Sequence, residues 1–207
     1  MFTLNKIHAF PPELSRCRLG AWVSATDATV VRWTLTLASQ RIHCALIPPE
    51  ERGPGWDRVG ILINCEDFAL EVSDWASLSI PEQSVKVSQQ SSGFQVYEWE
   101  RLLALRLDVR HIDGSTIEIV ADGIGETDSV HDWFDTSEVR FAVHTRATFD
   151  GVSIRVPAGV QDPVAYADAV LESLIPKYPH RNGELLQQMH NGTVVHTEVN
   201  FPVPQRL

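Results

Sequence analysis

The ten residues SVHDWFDTSE, Ser129–Glu138, hold a histidine, two aspartates, a glutamate, a tryptophan and a phenylalanine. With the preceding DGIGETD they gather Asp122, Glu126, Asp128, Asp132, Asp135 and Glu138 into a short span. Clustered carboxylates of this kind hold divalent cations or carry protons in acid–base catalysis. The spacing does not match a known cation loop, because Asp122-Gly-Ile-Gly-Glu126-Thr-Asp128 has acids only at its first, fifth and seventh positions. HDWFD also lacks the second histidine that zinc chemistry places one helical turn away. A metal-assisted hydrolase here would draw on His131, Asp132 and Asp135, with Asp128 beside them.

Other chemistries find less support. There is no GxSxG elbow, no P-loop and no GxGxxG after a strand. His43 and Cys44 are adjacent, so in a strand they face opposite sides. His111 with Asp113, and His144, converge only if their strands pack side by side. Cys17, Cys44 and Cys65 are odd in number and form no CxxC, which favours buried thiols over a disulfide framework or zinc site. No catalytic residue and no cofactor is expected.

Charge is unevenly spread. Between Arg110 and Arg140 lie eight of the 27 acids, Asp113, Glu118, Asp122, Glu126, Asp128, Asp132, Asp135 and Glu138, and none of the 17 Lys and Arg. Three readings of this segment stand: a solvated loop, an acidic face docking a basic protein, or a cation site. In the docking reading Asp122, Glu126, Asp128, Asp132, Trp133, Phe134, Asp135 and Glu138 form the contact surface, the two aromatics serving as anchors. Alternatively Trp133 and Phe134 fold back as a lid over the sheet. A net charge of −10 with no basic stripe disfavours nucleic acid and anionic membranes as partners.

The elements that must position these residues read mostly as strands. In VVRWTLTL, Val31, Trp33, Leu35 and Leu37 alternate with Arg32, Thr34 and Thr36. RIHCALI, DRVGILI, SVKV and FQVYEW supply further short strands between Pro, Gly and Ser punctuation. Leu103, Leu105, Leu107 and Val109 alternate up to Asp113-Gly114, which predicts a hairpin. VRFAVHTRATFDGVSIRV repeats this grammar around Asp150-Gly151 and predicts a second hairpin, whether by duplication or by shared turn chemistry. Asp162 as N-cap, Pro163 behind it and the stripe Val164, Ala167, Val170, Leu171 and Leu174 predict a helix over 162–175. A short helix over 183–190, a tight turn at Asn191-Gly192 and a last strand in GTVVHTEV follow.

A strand hairpin with a DG turn, a Pro-Ala-Gly corner at 157–159 and an Asp-Pro start to one amphipathic helix resemble the close of bacterial PH-like domains, over about residues 138–176. The resemblance implies a bent, nearly closed sheet capped by a helix, and a scaffold that binds rather than catalyses. More strands upstream, a tail after the helix and the lack of a Lys/Arg cluster depart from that pattern.

The expectation is one α+β, mainly β domain over 1–207: a bent antiparallel sheet, sandwich or partly open barrel closed by one C-terminal helix. It divides into strands over about 19–121, an acidic loop over 122–137, a hairpin plus helix over 138–176 and a tail over 177–207. The start, MFTLNKIHAFPPELS, lacks an apolar leader core, and no apolar run spans a membrane, so a cytoplasmic protein is expected. Its expected role is that of an inhibitor, immunity or adaptor protein masking a basic partner. Neither the partner nor the oligomeric state is legible.

Overall fold

The computed structural model describes residues 2–4, 14–39, 42–43, 58–59, 61–87, 92–95, 99–126, 138–190 and 193–203. In chain order the strands are β1 (Phe2–Leu4), β2 (Leu14–Val23), β3 (Val31–Ser39), β4 (Ile42–His43), β5 (Arg58–Val59), β6 (Leu62–Phe68), β7 (Gln83–Lys86), β8 (Ser92–Gln95), β9 (Trp99–Asp113), β10 (Thr116–Glu126), β11 (Glu138–Val156), β12 (Glu184–His190) and β13 (Thr193–Pro202). Helix α1 (Pro163–Leu174) lies between β11 and β12. The fold is mainly β, as the alternation predicts. No helix among the described residues is long and apolar enough to cross a membrane.

Seven strands close into a hydrogen-bonded ring in the order β10, β9, β8, β6, β3, β2 and β11, with β11 returning to β10. Such a ring cannot be antiparallel at every junction, because strand direction must regain its starting sense after an odd number of steps. One junction must be parallel, and it is β2 with β11. The alternating residues fill the interior. Leu19, Trp33, Leu35, Leu37, Ile63, Phe94, Leu107 and Phe149 are fully buried, so this small barrel has a packed core rather than a ligand chamber.

Two of its register shifts change what the sequence predicts. Between Ile124 and Gly125 the β10–β9 register shifts, pairing Ile124 with Ala104 but Gly125 with Leu102. Leu102 therefore takes the inner position that simple alternation assigns to Leu103. The second irregularity overturns a predicted hairpin: VRFAVHTRATFDGVSIRV lies within the single 19-residue β11. Asp150-Gly151 is a bulge, at which the parallel register steps from Phe149↔Leu19 to Val152↔Ala21. A turn was expected because Asp-Gly supplies positive φ, and Gly151 does adopt φ 119°. The bulge uses that freedom to bend the strand without reversing it, so β11 leaves β10 and pairs with β13. Asp113-Gly114 is the hairpin turn that the sequence predicts, with Gly114 at φ 48°.

The segment 184–190 is strand β12 rather than a short helix, antiparallel to β13 with His190 opposite Thr193. Asn191 and Gly192 between them lie outside the described residues. Helix α1 begins as predicted: Asp162 Oδ1 accepts a hydrogen bond from Ala165 N–H at 3.0 Å, and Pro163 follows where no intrahelical donor is needed. Ala167 and Leu171 are buried from this helix and Ile175 just after it, joining the apolar ends of β11 and β13 to the barrel core.

Candidate functional site

The acidic stretch begins inside a strand. Asp122–Glu126, expected in a loop, forms the end of β10. Gly123 and Gly125 face inward, where an added Cβ would lie 2.2 Å from Phe141 Cζ and 2.3 Å from Phe94 Cδ1. These two rings are stacked at 5.7 Å, nearly parallel. The glycines of DGIGE thus make room for an aromatic pair in the core instead of wrapping a cation.

Strand pairing also changes the charge picture. The acids of β10 point outward between two strands that carry arginines. Glu118 Oε2 receives Arg110 Nη2 at 2.6 Å, and Glu118 Oε1 lies 3.1 Å from His144 Nε2. The bond to His144, with Arg110 beside it, holds the Glu118 carboxyl below its ordinary value. Asp122 is exposed and stands opposite Arg106 on β9, with Ala142 on its β11 side. Over β9, β10 and β11 together, six arginines, Arg101, Arg106, Arg110, Arg140, Arg146 and Arg155, are interleaved with eight carboxylates. The acid run looks one-sided only along the chain.

The run of acids continues past the end of β10. Glu126 and Glu138 are Cα partners, the register pair that bounds the segment 127–137. Arg101 Nη1 lies 3.5 Å from Glu126 Oε1, with the arginine itself largely exposed. From Glu126 to Glu138 the chain carries five carboxylates and no Lys or Arg. Asp128, His131, Asp132, Trp133, Phe134 and Asp135 lie outside the described residues. The structure therefore places Asp122, Glu126 and Glu138 along one side of the barrel, with Glu126 and Glu138 together. Among the described residues no three His, Cys, Asp or Glu side chains are grouped to hold a metal. His111 and His144 do not converge: His111 Nε2 lies 3.2 Å from Gly114 O, and His144 meets Glu118.

A cleft of about 860 Å³ is a feature that the charge pattern did not reveal. Trp75, Leu78, Asp113, Thr148, Tyr178 and His180 are among its walls. Trp75 stacks on buried Trp33 at 5.6 Å, Tyr178 meets Trp75 edge-on, and His180 meets Tyr178 edge-on. The turn carrying Trp75 is pinned by Asp74, which accepts from Ala76 N–H at 3.1 Å and Ser77 Oγ at 2.7 Å. Leu78 in that turn has φ 51°, a left-handed conformation costing a leucine about 1–2 kcal/mol. Tyr178 donates its hydroxyl to Phe201 O at 2.9 Å, and burial pushes its pKa up. With hydroxyls, one carboxylate and no Lys or Arg in its lining, the cleft suits neutral or cationic polar groups. The sequence signal was SDWAS, a tryptophan set in a turn of small polar residues.

Compared with known families, curated proteins and solved structures, the chain matches none.

Proposed function

We propose that this protein works by binding and not by catalysis, docking a basic protein surface with the end of the barrel where β10 leaves and β11 returns. The observation that carries this reading is the opposition of Glu126 and Glu138 at the root of the acid-rich segment. Two carboxylates brought side by side concentrate negative charge at that point, and a basic partner would meet both. The docking surface on this reading is Glu126–Glu138, with Asp128, Asp132 and Asp135 as its main charges and Trp133 and Phe134 as apolar anchors. An inhibitor, immunity or adaptor role follows from masking a basic target. The PH-like resemblance adds only the idea of a helix-capped binding scaffold, since the hairpin it rested on is a single strand.

The test is capture on the immobilised protein from lysate of its source, followed by salt elution, alongside thermal melts with calcium, magnesium, manganese or zinc. Salt-eluted basic proteins and flat melts support the docking reading. A melting temperature raised by one cation, and lost on replacing His131, Asp132 and Asp135, would establish a metal site instead.

A further inference from the structure

We infer that the β12–β13 hairpin is a self-association surface, through which two copies of the chain join edge to edge along β12. Of the seven large apolar residues exposed among the described residues, five lie on this hairpin: Leu185, Leu186, Met189, Val194 and Val195, each 42–56% exposed. β12 is also the longest strand paired on one side only among the described residues, since the others of comparable length belong to the ring or, like β13, have neighbours on both edges. All seven of its residues are exposed, and it carries neither Lys nor Pro, the residues that usually guard an edge.

The placement of the apolar groups selects the mode of docking. Leu185 is opposite Val199 and Leu186 is opposite Glu198, so the two leucines lie on opposite faces of the hairpin. A partner laid on one face would cover only one of them. A strand added to the edge brings neighbours to both faces and supplies partners for the open backbone groups.

The sequence of β12, ELLQQMH, fits a second copy of itself. The one antiparallel register that pairs all seven residues places Gln187 on the two-fold axis. Leu185 then faces Met189 of the other copy, Leu186 faces Gln188, and Glu184 faces His190. Carboxylate meets imidazole at both ends, no like charges are opposed, and the contact is closed, as a two-fold interface must be.

The test uses the full chain in about 0.15 M salt, where a Debye length of about 8 Å screens the repulsion between two acidic copies. Light scattering after gel filtration from about 5 to about 500 µM should show a shift from one chain mass to two, because association follows concentration. The double variant Leu186→Lys, Met189→Lys should stay monomeric with unchanged circular dichroism, both side chains being exposed in the single chain. If that variant misfolds, Gln187→Cys decides: oxidation should give a covalent dimer, while Asn182→Cys, also exposed but outside the strand, should not. A wild type that remains monomeric throughout, or equal cross-linking at 182 and 187, overturns the inference.

Discussion

Glu126 on β10 and Glu138 on β11 face each other directly across an antiparallel ladder, the register pair that bounds the acidic segment. Cross-strand pairs contribute on the order of 0.2–1 kcal/mol, and like charges reverse the sign. Glu138→Gln removes one of the two opposed charges and should weaken capture of basic proteins without unfolding the chain. A lower melting temperature with unchanged capture would assign Glu138 to the framework alone.

The two Asp-Gly pairs separate by mutation. A Cβ at Gly151 would lie 2.3 Å from Phe201 O in a strand position of φ 119°, whereas one at Gly114 meets nothing within 4 Å. Gly114→Ala should cost about 1 kcal/mol and Gly151→Ala clearly more, since backbone strain of about 1–3 kcal/mol is joined there by a clash with β13. Urea melts of the two variants check the order, and equal losses would contradict the bulge.

Cys65 on β6 is fully buried, and desolvation pushes its thiol pKa up to about 12. In a Cys17→Ser, Cys44→Ser variant the remaining thiol should resist a disulfide reagent at about pH 8 and react only on unfolding, because the thiolate is the nucleophile. Rapid reaction in the native state would place β6 at the surface.

Glu118 links acid stability to the charge ladder. Its carboxyl is held below the ordinary value of 4.5, chiefly by the bond to His144 and then by Arg110. The unfolded chain therefore binds the proton more readily, so the contribution is complete above about 4.5 and disappears as pH falls through the lower folded value. Wild type should melt above Glu118→Gln at about pH 7, and the gap should narrow as pH falls below 4.5. A gap that persists in acid would show packing rather than ionisation.

Much of the framework was readable from local pattern. The alternation in β3, the Asp113-Gly114 turn and the Asp162-Pro163 helix start are each decided by a few neighbouring residues, and each stands as read. What failed depends on distant partners. Whether Asp150-Gly151 turns or bulges is decided by β13 and β2 on its two sides, and whether Glu118 and Asp122 leave net charge is decided by arginines on β9 and β11. Likewise Gly123 and Gly125 resemble a flexible acidic loop until Phe94 and Phe141 are seen above them. The cleft beside Trp75 joins segments far apart in the chain, so the local SDWAS turn shows only one of its walls.

The most direct test of the docking account compares two charge-neutralised variants against the basic proteins captured by the wild type. One carries Asp128→Asn, Asp132→Asn and Asp135→Asn in the segment between Glu126 and Glu138; the other carries Glu118→Gln and Asp122→Asn on the outer face of β10. Association rates measured across a salt series should fall and lose most of their salt dependence in the first variant and stay near wild type in the second, because steering follows the charge that faces the partner. Equal effects in both, or a larger effect from the face variant, would contradict the assignment of the docking surface to Glu126–Glu138.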